Sequence, residues 1–252
     1  ISPESRTSIP FVMDEHDLEY PIDYRESQED IFPLQQHATM VTTEGLRLRC
    51  EKKCAGLAQD AANYAASNKI TLSGNSQFSS KNTSDPIGVV EDAKDAVRLN
   101  IGKAPNVMVI GYTSFKALKQ HPQLTDRIKY AMKGILTAEL MQEIFGVEKI
   151  VVGASVSADD VTGAFTDLWA DNIVLAYVPQ TARPQTARPQ TAAGTRSVYE
   201  PSFAYTLRKK GQPQVDTRPD NGGKLQVVRS TDIFLPLMVG AEAGYLIADT
   251  NS

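Results

Sequence analysis

Cysteine and histidine, whose side chains carry much of protein chemistry, are few in this sequence. Cys50 and Cys54 are four residues apart and would share one face of a helix, but two thiolates cannot complete the four-ligand shell of a structural zinc ion. His16, His37 and His121 have no second histidine or cysteine at metal-ligand spacing. We therefore predict no metal site, and expect the cysteines to be small buried apolar residues and His121 to cap a helix.

Motifs that bind phosphate or activate a nucleophile are also missing. Gly222-Gly223-Lys224 lacks the spacing and the hydroxyl residue of a phosphate loop, and no Gly-x-Gly-x-x-Gly or Gly-x-Ser-x-Gly run occurs. Asp159 and Asp160 fall in a loop rich in Ser, Asp and Gly, where turn formation explains them better than catalysis. The sequence thus predicts no catalytic residues and no cofactor.

The composition is that of a folded chain without a bias toward nucleic acid. The 26 basic and 30 acidic residues give a net charge of −4, whereas a dedicated nucleic-acid binder needs a basic excess to displace counterions. No apolar run approaches the roughly 18 residues that would cross a membrane. Because the sequence begins with Ile1 and shows no signal segment, we expect a processed or partial product.

The first thirty residues predict an extended acidic arm. Prolines interrupt any helix, and residues 14–30 contain eight acids against one arginine. The period of a strand appears in the alternating apolar residues Leu18, Tyr20, Ile22 and Tyr24. We expect a projecting hairpin or loop that has no core of its own and needs a partner surface.

A long amphipathic helix is predicted next, from about Gln36 to Ala66. Its apolar residues recur every three or four positions, at Leu46, Cys50, Cys54, Leu57, Ala61 and Tyr64. Its flank carries a basic cluster, for which a solvated helix face is the plainest interpretation, made of Arg47, Arg49, Lys52 and Lys53.

From Pro86 onward, helices and strands alternate, which predicts an α/β core with a mixed sheet. Asp85 and Pro86 begin a helix that ends at Gly102. Further helices are predicted at Phe115–Lys119, Ile128–Met132 and Ala138–Phe145, and strands at Val107–Ile110, Lys149–Val152 and Ile173–Val178.

The remainder of the chain is a repeat followed by strands. Residues Pro179–Ala192 contain Pro-Gln-Thr-Ala three times, which predicts an extended surface loop. Strands are predicted at Phe203–Arg208 and Leu225–Arg229. The segment between them is predicted to form turns, since it contains Pro213, Pro219 and the hairpin signal Asn221-Gly222-Gly223. The apolar stretch Ile233–Ile247 predicts a strand that returns to a buried position.

An ordered set of segments carries a family resemblance. It begins with the run VEDAKDAVRLNIGKAPNVMVIGYTSFKALKQHPQLTDRIKY and continues through Ile144–Val147, Leu168-Trp169, Val174–Pro179, Glu200–Thr206 and Val239–Ile247. The set resembles the major capsid proteins of tailed bacteriophages, the family with the HK97 fold, and it covers most of the chain from Gln36 onward.

The resemblance implies an α+β, HK97-like capsid fold with an extended E-loop, a long spine helix, a peripheral β-rich domain and an axial α/β domain. The segments would be the N-terminal segment and acidic E-loop (1–35), the spine helix and connector (36–85), the axial domain (86–179), the repeat loop (180–199), and peripheral strands returning to the axial domain (200–252).

The implied function is that of a structural subunit, not an enzyme, which self-assembles into the icosahedral shell around a phage genome. Its main partners would be its own copies, in hexamers and pentamers. Scaffold, portal and decoration proteins would be further partners, and packaged DNA would bind only non-specifically. The virion would be its location, after assembly in the bacterial host cytoplasm, and no membrane would be involved. Two alternatives remain, an encapsulin-like compartment shell and, more distantly, an α/β enzyme or small-molecule binder.

The candidate interface residues join two charged surfaces of neighbouring copies. We expect the acidic arm, with Glu19, Asp23 and Glu26, to lie across the basic cluster of Arg47, Arg49, Lys52 and Lys53. Some family members link subunits through a lysine on the E-loop, but the first lysine here is Lys52, on the helix. We therefore expect a shell held together by noncovalent contacts.

Overall fold

The structure, a computed structural model, describes residues 10–29, 31–129, 137–159, 161–179 and 202–251. The helices are α1 (Tyr24–Glu29), α2 (Leu34–Gln59), α3 (Pro86–Ile101), α4 (Tyr112–Lys119), α5 (Pro122–Lys129) and α6 (Ala138–Phe145). The strands are β1 (Asp14–Asp23), β2 (Lys69–Thr71), β3 (Val107–Gly111), β4 (Lys149–Gly153), β5 (Val156–Ala158), β6 (Phe165–Asp167), β7 (Ile173–Ala176), β8 (Ala204–Arg208), β9 (Gln214–Asp220), β10 (Leu225–Met238) and β11 (Gly244–Ala248).

The chain divides into two compact units, each built from two stretches of sequence. The first comprises Ile1–Glu51 and Thr206–Leu237, and the second Lys52–Tyr205 and Met238–Ser252. These units cut across the five predicted segments, since residues 36–85 contribute to both. The repeat Pro179–Ala192 lies outside the described residues, apart from Pro179.

The first unit is built on β10, which pairs with three other strands. β1 runs antiparallel along it, from Asp14 opposite Phe234 to Asp23 opposite Leu225. β9 pairs antiparallel with the same stretch of β10, and β8 also pairs with β10. The predicted hairpin turn is confirmed between β9 and β10, where Gly222 and Gly223 have φ values of 67° and 88° that residues with a Cβ rarely adopt.

Helix α2 packs its N-terminal half on this sheet. Ile22, Ala38 and Val228 form a buried apolar cluster, and the hydroxyls of Thr42 and Ser230 lie 2.7 Å apart. The expectation that the acidic arm has no core of its own is therefore wrong for residues 14–23. The apolar residues of the strand pattern face a helix of the same chain. The strand that pairs with this segment lies about 200 residues later in the sequence, so the pattern of residues 14–23 alone does not reveal it.

The second unit contains a five-stranded mixed sheet in the order β2-β11-β7-β3-β4. β3 pairs parallel with β4 and antiparallel with β7, which confirms the predicted mixed sheet. Its main core joins side chains of the sheet to those of the surrounding helices, including Val90, Val97, Met108, Ile110, Leu118, Met141, Phe145, Ile173, Leu175 and Ile247. The apolar stretch Ile233–Ile247 does not form one strand, because its first part belongs to β10. Its end forms β11, a buried strand between β2 and β7.

Local capping signals fix the best-predicted helices. The Asp85 carboxylate accepts a hydrogen bond from the Gly88 amide at 3.0 Å, and Gly102 ends α3 with a φ of 72°. The Thr137 hydroxyl accepts from the Leu140 amide at 3.4 Å, and Gly146 ends α6 in the same way as Gly102. Both helices confirm the prediction.

Several boundaries differ from the prediction. The long helix ends at Gln59 because Asp60 begins a separate 3-10 turn, in which its carboxylate accepts from the Ala62 amide at 2.9 Å. α5 starts at Pro122 and not at Ile128, and residues 130–136 lie outside the described ranges. β10 runs on to Met238, and β9 occupies a segment that was expected to form turns.

His121 confirms its predicted capping role. Its Nδ1 accepts from the Gln123 amide at 3.3 Å at the start of α5, and its Nε2 lies 3.0 Å from the Ser84 hydroxyl. Burial holds the pKa of His121 below its ordinary value of 6.5, while Asp85 raises this pKa and Lys81 lowers it. The unfolded chain therefore binds a proton here at a higher pH than the folded chain.

This difference predicts that the folded chain loses stability as the pH falls below about 6.5, until the folded His121 also takes up a proton. We expect His121→Asn, which can still cap α5, to flatten this pH dependence in denaturant unfolding curves recorded from about pH 7 to pH 5. His37→Asn, the same replacement at an exposed histidine, is the matched control for the substitution itself.

Candidate subunit-interface residues

Four acidic residues of β1 lie on one face of the first unit's sheet, at Glu15, Asp17, Glu19 and Asp23, while Asp14 lies on the other. Glu19 stands opposite Arg229 of β10. Arg229 in turn stands opposite Asp216 of β9. Because residues opposite each other share a face, acids of β1 and β9 flank an arginine of β10.

These residues form a hydrogen-bonded charge network. The Arg229 guanidinium donates to the two carboxylate oxygens of Asp216 at 3.2 and 3.1 Å. Hydrogen bonding to Asp216 raises the pKa of Arg229, and the charges of Asp216, Asp17 and Glu19 add to this effect. Arg218 of β9 donates to both oxygens of Glu19 at 2.9 and 3.2 Å. The predicted interface residue Glu19 is thus paired within its own chain.

The other two acidic candidates lie at the start of α1. The Asp23 carboxylate accepts from the Arg25 amide at 2.8 Å, so it satisfies one of the free amides of the helix. Glu26 lies in the first turn and is exposed. The placement of both carboxylates suits the positive end of the helix, and the Glu26 carboxylate faces solvent.

The basic cluster does not form a single surface. Successive residues of an α-helix are rotated by about 100°, which brings Arg49, Lys52 and Lys53 onto one face within about 100° of each other. Arg47 lies about 120° or more from each of these three. The predicted four-residue flank is therefore corrected to a basic trio of Arg49, Lys52 and Lys53, because sequence proximity on a helix does not imply a shared face.

A third ion pair in the first unit joins a buried carboxylate to a partly exposed arginine. Arg208 of β8 donates to the Asp232 carboxylate of β10 at 3.0 Å, and the Asp232 side chain is only 3% exposed. The guanidinium lies 6.0 Å from the centre of the Phe234 ring, and His16 of β1 packs against the same ring at 4.8 Å. Sequence analysis missed Arg208, Asp216, Arg218, Arg229 and Asp232. The alternation of charged residues along β9 was the available signal.

Two cavities lie among the described residues. A cavity of about 320 Å³ lies beside α1 and the β9–β10 hairpin, and one of about 410 Å³ lies beside Asp85, whose carboxylate caps α3. Asp159 confirms its predicted turn role, since it accepts from the Val161 amide at 2.9 Å. Within the described ranges, no three His, Cys, Asp or Glu side chains could hold a metal ion, and no helix is long and apolar enough to span a membrane.

The sequence matches a family model described as phage major capsid protein E over residues 11–215. The chain belongs to this phage major capsid protein family. It is also 54% identical over 251 residues to the major capsid protein of Burkholderia phage BcepMu, covering all of this chain and 78% of that relative.

The fold of this capsid protein is also similar to that of solved structures. The structure of a phage-related protein from Bordetella bronchiseptica has a TM-score of 0.80 and 31% identity, and the match covers 95% of this chain and 77% of that one. A capsid structure of cyanophage P-SCSP1u has a TM-score of 0.59 at 10% identity, with 98% and 78% of the two chains covered. The family resemblance and the HK97-like capsid fold are therefore confirmed.

In this capsid subunit, the Arg208–Asp232 and Arg218–Glu19 ion pairs should differ in their contribution to stability. We expect Arg208→Met to lower the free energy of unfolding by about 1–3 kcal/mol, because it leaves the buried Asp232 carboxylate without its counter-charge. Arg218→Met removes the pair with Glu19, in which both side chains are at least 41% exposed, and should cost less than about 1 kcal/mol. Chemical denaturation of both variants measures the difference, and equal losses would contradict the expectation.

Proposed function

We propose that the chain builds the icosahedral shell of a phage capsid, in hexamers and pentamers that enclose the genome. The observation that carries this proposal is the 54% identity to a phage major capsid protein across the whole length of the chain. The subunit acts in the virion after assembly in the host cytoplasm, and it carries out no catalysis. Scaffold, portal and decoration proteins are its further partners, and packaged DNA contacts it without sequence specificity.

A compartment shell of the encapsulin kind is the nearest alternative, because the two kinds of shell share a fold. Fold alone does not distinguish them, but sequence does, since both the family model and the full-length relative are phage capsid proteins. An enzyme or small-molecule binder is less well supported. The carboxylate at the larger cavity is engaged in capping, and no nucleophile with an adjacent base occurs among the residues that line either described cavity.

The layout proposed for the shell assigns the first unit to the peripheral domain and the second to the axial domain. The acidic segment before α2 serves as the E-loop, and α2 as the spine helix. Support for the first assignment comes from the long β10 strand and the packing of α2 on it, and for the second from the α/β core around the mixed sheet.

The acidic arm contacts the basic trio of a neighbouring copy. Glu15 and Glu26 are exposed and Asp17 lies on the charged face, whereas Glu19 is occupied by Arg218 and Asp23 by the start of α1. Each surface pair contributes only about 0–1 kcal/mol, but a shell repeats every contact many times. Weak repeated contacts also allow a misplaced subunit to leave, so that errors are corrected.

Electron microscopy of the purified chain, together with its mass from light scattering, tests the proposed function. We expect closed shells or rings of five or six subunits, with an empty interior. Denaturing electrophoresis of the particles should give a single-chain band, because residues 1–35, the proposed arm, contain no lysine to form a link. A chain that stays monomeric at every concentration, or a ladder of linked subunits, would contradict the respective proposal.

Replacing Arg49, Lys52 and Lys53 together with Ser tests the contact between the arm and the trio. We expect a higher critical concentration for assembly and a weaker dependence of assembly on salt, because the attraction between exposed charges is screened. The exposed residues Lys116, Lys119 and Lys149 provide a matched triple Ser control that removes the same charge. If assembly responds to salt in the same way in both triple variants, the proposed contact between the arm and the trio is contradicted.

A further inference from the structure

Helix α2 has one face buried in the first unit. Ala38, Thr42 and Leu46, spaced four residues apart, are at most 3% exposed. Ala38 packs with Ile22 and Val228, and Thr42 hydrogen-bonds to Ser230, so this face lies against the β1–β10 sheet. A surface helix packed in this way normally carries polar residues on the opposite face.

The opposite face of α2 is apolar at three positions. Met40, Val41 and Leu48 are 61%, 40% and 37% exposed. They lie within about 120° of each other around the helix and about 100–160° from Thr42 at the middle of the buried face, with Val41 at the edge nearest Ala38. Single exposed apolar residues are common on protein surfaces, but three on one outward helix face indicate a surface that is covered in the assembled protein.

Two charged residues, Glu44 and Arg47, lie on the same outward face. Both are exposed, and neither forms an ion pair with any residue that the structure describes, although they are three positions apart. At the same spacing on α3, Asp95 and Arg98 form an ion pair at 3.0 Å. The charges of the outward face of α2 are thus of opposite sign and available to a partner.

We propose that this face, Met40, Val41, Glu44, Arg47 and Leu48, binds the same face of a second copy, with the two α2 helices antiparallel about a two-fold axis. The proposal rests on the proposed shell function, because an icosahedral shell supplies two-fold axes. Charge complementarity selects the partner. An isologous contact brings Glu44 of each copy to Arg47 of the other, so that the ion pair forms twice.

The spacing of the residues suits this arrangement. If the two-fold axis passes between Glu44 and Gly45, Val41 of one copy lies level with Leu48 of the other. Glu44 then lies two residues, or about 3 Å along the helix axis, from the level of Arg47 of the second copy. That offset is within the reach of the two long side chains. The apolar residues therefore meet apolar residues while each carboxylate meets a guanidinium.

Charge reversal with complementary mixing tests the contact. Glu44→Arg leaves two cations on the face, and Arg47→Glu leaves two carboxylates, so each variant alone repels itself. We expect each to raise the concentration needed for association about tenfold in sedimentation velocity. An equimolar mixture of the two variants restores both ion pairs, and should associate like the wild type. Folding damage cannot produce such recovery, and circular dichroism checks that each variant is folded.

Asp95→Arg and Arg98→Glu are the matched controls, because they make the same changes of charge at the same spacing on another exposed helix. We expect neither control to change association as the α2 variants do, and no recovery on mixing. Association of the α2 variants at the wild-type concentration, or a mixture no better than its components, overturns the contact, and so does a wild-type chain that never associates.

The test separates this contact from the shell function itself. Closed wild-type shells combined with unaltered association of both single variants would overturn the contact and leave the proposed function standing. Loss of association in each variant and its recovery in the mixture, without closed particles at any concentration, would support the contact and count against the shell.

Discussion

The antiparallel pairing of β1 with β10 is the contact on which the first unit depends. Ten residues of a strongly acidic segment are held in register by backbone hydrogen bonds to a strand more than 200 positions later. The pairing places Ile22 under α2 and brings Glu19 beside Arg229. Without it, α2 would lose the surface that buries Ala38 and Thr42, and the acids of β1 would have no counter-charges nearby.

The pairing also determines which charges of the subunit remain available for assembly. Arg218 pairs with Glu19, Arg229 with Asp216, and Arg208 with the buried Asp232, so these charges stabilise the sheet. The exposed charges outside these pairs include Glu15, Glu26, Arg49 and Lys52, together with Glu44 and Arg47 on the outward face of α2. A capsid subunit needs such a division, since residues that fold the chain and residues that join copies are satisfied at different times.

The second unit shows how far local signals extend. The caps of α3 and α6, the buried strands β3, β4 and β7, and the turn at Asp159 follow from residues within a few positions of each other, and the sequence predicts them. The end of α2 depended on whether Asp60 would continue the helix or begin a new turn, and β9 depended on a partner strand. Both predictions failed because short-range preferences are weak and tertiary contacts override them.

By itself, the sequence determined the family, the kinds of element along most of the chain and the absence of familiar catalytic motifs, because each is written in residue order and spacing. Only the tertiary structure decided which side chains meet. The contacts of Glu19 with Arg218 and of Thr42 with Ser230 join residues 199 and 188 positions apart. The physical reason is that sheet register brings together residues from distant parts of the chain, and this register cannot be read from the spacing of acids and bases alone.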